Sequence, residues 1–120
     1  MNLRNITRAT TVGTRITIAD TSLTRLIGLV GRRRLDAGCG LLIMPSSGIH
    51  TFGMRFSIDV VALSKGLQVL KLWPSLPPFR VTSISLKTYC VLELPAGQIS
   101  NCQINVGDQL QLDRAPTMRV

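Results

Sequence analysis

Few residues in this 120-residue chain have side chains that could do chemistry, and two of the acidic ones lie inside apolar stretches. His50 is the single histidine and Glu93 the single glutamate. Asp59 lies in F-S-I-D-V-V-A-L, and Glu93 lies in V-L-E-L-P. A buried carboxylate is costly unless it is hydrogen-bonded or paired with a cation. Each is therefore expected to anchor the fold or to line a binding site.

The segment around His50 predicts a strand with two different faces. If residues 49–56 are extended, alternate side chains point to opposite sides. One side would then carry His50, Phe52, Met54 and Phe56, and the other would carry Thr51, Gly53 and Arg55. Because Gly53 has no side chain, a ligand could approach the backbone closely there.

The predicted binding site consists of His50, Thr51, Arg55, Asp59 and Glu93. Arg55 would supply a guanidinium group for a carboxylate or another anion. We expect a non-catalytic binding module with a polar pocket for a small polar or anionic ligand, or for a partner's carboxylate. Two structural interpretations stay open: Arg55 pairs with an acid of the same domain, and Asp59 holds a loop through its backbone N–H groups.

An enzyme is a further interpretation of the same residues. A hydrolase or lyase would use His50 as its base, with Asp59 or Glu93 orienting the imidazole. No nucleophile-elbow motif accompanies His50, and one histidine with three scattered cysteines falls short of a metal site. The sequence therefore leaves catalytic residues unassigned, and we expect neither a metal nor another cofactor.

The charge balance favours a second kind of partner. The chain carries 14 basic and 6 acidic residues, a net charge of +8. Arg32, Arg33 and Arg34 form a run that is most simply a solvated loop. The alternative is contact with phosphates, which predicts weak, non-specific and salt-dependent binding of nucleic acid.

Short strands are the elements that must position these residues. The pattern predicts a mainly β, compact sandwich-like or barrel-like domain of about seven or eight short strands and one or two short helices. No long helices alternate with strands, so a parallel βαβ arrangement is not expected. A short helix is predicted after the cap residues 20–22, with an apolar stripe and a C-cap at Gly31. The apolar stripe of this helix consists of Leu23, Leu26, Ile27 and Val30. The proline-rich segment 74–78 is predicted to be a loop.

The predicted organisation is a flexible segment 1–12, one domain over residues 13–114 and a tail over residues 115–120. The three cysteines lack a C-x-x-C spacing, and the N-terminus lacks a signal-peptide pattern, so a reduced cytoplasm is expected. No apolar run approaches the roughly 18 residues of a membrane-spanning helix. The oligomeric state stays open.

An ordered set of motifs supports a family resemblance. The strongest is I-H-T-F-G-M-R-F-S-I-D-V-V at 49–61, preceded by G-L-V-G-R at 28–32 and followed by V-L-E-L-P-A-G at 91–97. The series resembles the DUF192 family, also called UPF0127, over about residues 14–113. The resemblance implies a small, mainly β domain with a short helix after the first strand, and it implies no activity. Relatives often carry a cysteine just before I-H-T-F, where this chain has Ser46-Ser47, so a thiol function beside His50 is not expected.

Overall fold

The computed structural model describes residues 1–113, which form eight strands in two sheets and two short helices. The elements are β1 (Asn2–Asn5), β2 (Thr10–Gly13), β3 (Arg15–Ala19), α1 (Ser22–Ile27), β4 (Cys39–Ile43), β5 (Ile58–Leu63), β6 (Val69–Leu76), β7 (Cys90–Pro95), α2 (Gln98–Asn101) and β8 (Leu110–Asp113). The mainly β fold class is confirmed, and the two sheets do not close into a barrel.

The larger sheet has the strand order β3-β4-β7-β5-β6. Its strand β5 is buried along its whole length, and β7 is buried up to its last residue. Side chains of β7 alternate between two apolar clusters, because successive residues of a strand point to opposite faces. Leu92 and Leu94 enter the first cluster, whereas Val91 enters the second. The side chain of Glu93, which lies between Leu92 and Leu94, therefore faces the second cluster.

The smaller sheet, of order β2-β1-β8, includes the N-terminal residues expected to be flexible. Leu3 and Val12 are buried in the first cluster, which gives this segment an apolar reason to be ordered. Asp108 is also buried and accepts hydrogen bonds from Asn5 Nδ2 at 2.8 Å and from the Asn105 N–H at 2.9 Å. The predicted tail over residues 115–120 lies outside the described residues.

A parallel strand pair is present, contrary to expectation. Strands β3 and β4 run parallel, and α1 lies between them in the chain. At six residues, the helix is too short to give the long helical periodicity that usually marks a parallel βαβ unit. Thr21 is its N-cap, and Gly28, with φ +51°, is its C-cap. The helix therefore ends three residues before Gly31, where the C-cap was predicted. The side chains of residues 23, 26 and 27 lie outside the described part, so the predicted apolar stripe is not tested.

Two local predictions were wrong. Residues 49–56 form turns and bends with a single bridge from His50 to Val81, rather than a strand. Strand β6 continues through Pro74 to Leu76, although a loop was predicted there. Proline is tolerated because β6 is an edge strand with an irregular register opposite Asp59.

All three cysteines are free thiols, and Cys90 and Cys102 pack in the first cluster. Burial raises the pKa of each of these two thiols to about 11. They are therefore protonated core residues at neutral pH. In residues 1–113, no helix has the length and apolar character needed to cross a membrane.

Candidate functional site

A pocket of about 420 Å³ opens between α1, the loop that follows β4 and strand β7. Leu29, Ile43 and Met54 are among its apolar lining residues. Its polar lining includes Ser22, Arg25, Ser46, Ser47, His50 and Glu93. Small-molecule sites commonly combine a mostly apolar wall with a few converging polar groups.

Glu93 is the deepest charged group of this pocket. It lies on the central strand β7, opposite Leu41 of β4 and Val60 of β5, both of which are buried. Its side chain is 3% exposed, and among the described residues its Oε2 has no hydrogen-bond partner. A buried polar atom without a partner is uncommon in folded proteins and points to a ligand, a water molecule or a functional requirement.

The electrostatics of Glu93 follow from this position. Burial raises its pKa from 4.5 to about 7, because the charged form is disfavoured away from water. The positive charge of Arg32 opposes the change and lowers the pKa. The carboxyl group therefore exists in both protonation states near neutral pH, so it can donate or accept a hydrogen bond.

Gly28 leaves room beside this carboxyl group. Its backbone has φ +51° and ψ −124°, a conformation that residues with a Cβ rarely adopt. A Cβ placed there would lie 3.4 Å from Glu93 Oε1 and 3.9 Å from Ile43 Cδ1. The end of α1 thus brings main chain close to Glu93 on one side of the pocket.

Arg25 brings a positive charge to the pocket. Its Nη1 donates to the carbonyl of Pro45 at 3.1 Å, and its Nε is 3.3 Å from the carbonyl of Thr21. These contacts hold the guanidinium group between the beginning of α1 and the loop after β4. The pocket therefore has an acceptor or donor at Glu93 and a fixed cation at Arg25.

His50 also lines the pocket, and its residue is exposed. Its Nδ1 accepts a hydrogen bond of 3.2 Å from the backbone N–H of Phe52. Within residues 1–113, no carboxylate is hydrogen-bonded to this ring. The carboxylate-oriented base that the enzyme interpretation requires is therefore not assembled in the described residues.

The structure separates the other predicted site residues from His50 and Glu93. Thr51 is buried, and its Oγ1 donates to the carbonyl of Pro77 at 2.7 Å and accepts from the N–H of Arg80 at 2.8 Å. Arg55 is exposed and does not line the pocket. Thr51 therefore holds two loops together, and Arg55 lies outside the pocket.

Asp59 is buried on the opposite face of the sheet from Glu93. It pairs in register with Leu94, whereas Glu93 pairs with Val60. Asp59 Oδ1 accepts from the N–H of Ser75, and its Oδ2 accepts from the N–H of Ile99, each at 2.8 Å. The carboxylate thus holds the irregular part of β6 and the beginning of α2. This arrangement matches the anchoring interpretation.

The three arginines after α1 are exposed. Arg34 forms an ion pair of 3.0 Å with Asp36. Arg32 lies near enough to Glu93 to affect its pKa. The run therefore forms a charged surface loop close to the pocket.

Sequence reasoning did not select Arg25, Ser46 and Ser47 as site residues. Arg25 was not among the residues considered for chemistry, and the two serines were noted only as the position where relatives often carry a cysteine. They meet Glu93 through the packing of α1 and the β4 loop against β7, which local patterns do not encode. The available signal was a glycine at the end of a short helix and an isolated glutamate on the fourth strand after that helix.

The same segments carry the family match. The family model DUF192, described as "Uncharacterized ACR", matches residues 4–112. The chain belongs to the DUF192 family. The match starts at β1 and ends in β8, so the N-terminal strands are part of the family domain.

Two crystal structures share the fold. A protein of unknown function from Novosphingobium aromaticivorans DSM 12444 superposes with a TM-score of 0.79 at 18% identity, covering 92% of this chain and 82% of that one. A "putative transcription regulator" from Sinorhizobium meliloti 1021 has a TM-score of 0.77 at 19% identity, covering 92% and 89%. No curated protein matches the sequence. At these identities the likeness shows that the DUF192 fold is shared.

Proposed function

We propose that this DUF192 protein is a binding module whose pocket takes a small polar ligand. The observation that carries the proposal is the 3% exposed Glu93, whose Oε2 has no partner among the described residues and which lines a pocket of about 420 Å³. A ligand hydroxyl or amine would satisfy this oxygen. Without such a ligand, burial of this oxygen costs free energy that no hydrogen bond offsets.

Arg25 defines the second feature of the ligand. Its guanidinium group is held by two carbonyl oxygens and suits a carboxylate or phosphate. The ligand class is therefore a small molecule with a hydrogen-bond donor at one end and an anionic group at the other. Amino acids and sugar phosphates are two accessible examples.

A thermal-shift screen of amino acids, sugars and sugar phosphates tests this function. A ligand present at about 100 times its Kd should stabilise the folded protein by roughly 2.7 kcal/mol. We expect Arg25→Gln to weaken binding about tenfold or more, because it removes a charged hydrogen bond. Glu93→Leu should abolish binding while keeping the pocket wall apolar.

Arg55→Gln is the matched control, since this arginine is exposed and lies outside the pocket. Its ligand affinity should equal that of the unaltered protein. No shift across the panel, or a shift that survives both pocket substitutions, would contradict the proposal.

A second candidate function is binding of nucleic acid through the exposed Arg32, Arg33 and Arg34. The net charge of +8 supports it, as does the name of the Sinorhizobium meliloti protein with the same fold. Fluorescence anisotropy with a short oligonucleotide should then show affinity that falls steeply with salt. Replacing all three arginines by glutamine should reduce that salt dependence, and no affinity at low salt would exclude this function.

A further inference from the structure

A second surface, beside the pocket mouth, is apolar and exposed. We call it the loop face, and its members are exposed apolar side chains on two neighbouring loops: Phe52, Phe79, Val81, Ile84 and Leu86. Ile84 is 75% exposed, and Leu86 is completely exposed. Soluble proteins seldom expose several large apolar side chains together without using them.

Four of the five members of the loop face are neighbours in space, and Leu86 follows Ile84 two residues later in the same loop. The rings of Phe52 and Phe79 have centroids 6.1 Å apart, and the rings of His50 and Phe52 have centroids 5.6 Å apart. Val81 pairs with His50, and both line a shallow groove of about 170 Å³ together with Ile84. The face is thus continuous from Phe79 to Ile84.

The two loops are hydrogen-bonded to each other. Thr51 connects to the N–H and carbonyl of Arg80, and Thr82 connects to the N–H and carbonyl of Ile49. Buried threonine side chains reinforce both connections. The apolar side chains are therefore presented by an ordered backbone, which reduces the entropy lost on docking.

Exposed positive charges lie in the same loops as this face, and exposed negative charge is missing from its part of the sequence. Between Asp36 and Glu93 the sequence contains one acidic residue, Asp59, and that side chain is fully buried. Arg55, Arg80 and Lys87 in the same loops are exposed. The surface that complements this face is consequently negative and able to accept apolar side chains.

We propose that the loop face docks on an anionic lipid surface. Apolar side chains that insert into the headgroup region, flanked by cations that attract anionic lipids, are the combination that gives peripheral membrane binding. A fully exposed leucine at a loop tip suits insertion better than a protein hot spot, where leucine and valine are under-represented. The proposal does not depend on the ligand pocket.

Cosedimentation with vesicles tests the proposal, using phosphatidylcholine alone and phosphatidylcholine mixed with phosphatidylglycerol. The protein should bind the mixed vesicles and not the neutral ones. The double variant Ile84→Ser/Leu86→Ser should lower the partition coefficient about tenfold or more, because the inserted apolar area is lost. Arg80→Gln should lower it about fivefold.

Two controls separate this outcome from general attraction between charges. Val106→Ser removes an exposed apolar side chain that is not part of the loop face, and it should leave binding unchanged. Arg33→Gln removes an exposed charge outside the face, and its effect should be smaller than that of Arg80→Gln.

Three results would overturn the proposal. One is the absence of binding to the mixed vesicles. Another is binding that resists Ile84→Ser/Leu86→Ser and responds equally to both arginine variants. The third is a dimer, seen by sedimentation velocity without vesicle binding, that the double serine variant dissociates. Circular dichroism and thermal melting should show that these surface variants stay folded.

Discussion

Asp59 and Glu93 are buried carboxyl groups on adjacent strands of one sheet, yet their surroundings differ completely. Asp59 has both oxygens bonded to backbone N–H groups, of Ser75 and Ile99. Glu93 has an oxygen without a partner among the described residues and a pKa raised to about 7 by burial. Burial alone therefore does not reveal what a carboxylate does, whereas its remaining hydrogen-bonding capacity does.

Strand geometry explains how such close neighbours diverge. Asp59 shares a register position with Leu94, and Glu93 shares one with Val60, so their side chains leave the sheet on opposite faces. The first face carries the beginning of α2, whose free N–H groups attract a carboxylate. The second face carries the open end of α1 and the pocket.

The largest expected effect comes from removing the anchor. Asp59→Ala leaves the buried N–H of Ile99 and the part-buried N–H of Ser75 without their acceptor, and a buried group left unsatisfied costs about 1–3 kcal/mol. We expect urea unfolding to show a loss of about 3–5 kcal/mol. Asp59→Asn keeps one acceptor and should lose less, which provides a variant that folds if the alanine variant does not. A loss below about 1 kcal/mol for Asp59→Ala would show that Asp59 does not anchor these two elements.

The pH dependence of stability should show the titration of the Glu93 carboxyl group. Its pKa is raised on folding, from 4.5 to about 7, so the folded state binds more protons than the unfolded state between these values. The free energy of unfolding should therefore fall as pH rises through this window, by roughly 3 kcal/mol for such a shift. The contribution of protonated Glu93 to the free energy of unfolding is complete below pH 4.5 and is lost above pH 7.

Glu93→Gln isolates this effect because glutamine has the same shape and does not titrate. Urea unfolding at a series of pH values should show a flatter profile for the variant than for the unaltered protein. Identical profiles would show that Glu93 titrates normally. The two carboxylates would then differ less than their hydrogen bonds indicate.

The smallest of these effects concerns the backbone beside Glu93. Gly28→Ala forces a Cβ into a conformation with φ +51° and toward Glu93 Oε1, and it should cost about 1–3 kcal/mol. Gly66→Ala is the matched control, since a Cβ there meets nothing within 4 Å. Thermal unfolding of both variants checks this expectation. An equal effect at the two sites would show that Gly28 is not specifically required.

Much of the fold followed from local pattern. The prediction of about seven or eight short strands was confirmed, because the apolar and β-branched composition of runs such as β3, β5 and β7 and the turns between them are local signals. The N-terminal strands were missed, since their order depends on pairing with β8 more than 100 residues away. The 49–56 segment was misassigned because Thr51 bonds to another loop instead of to a neighbouring strand.

The candidate site was predicted in part. His50 and Glu93 were selected for their rarity and apolar context, and they line one pocket. Arg25, which completes its charge pattern, was not selected. Its contact with Pro45 joins a helix to a loop 20 residues away, and no periodicity specifies that distance.

The sequence by itself determined that the domain is mainly β, that it carries a charge of +8, and that Asp59 and Glu93 each need an unusual environment. These conclusions follow from composition, short apolar runs and the cost of burying a carboxylate. Tertiary structure alone decided which carboxylate was satisfied. Strand register assigns each side chain to a face, and the packing of α1 and α2 determines whether N–H groups or an open pocket meet it there.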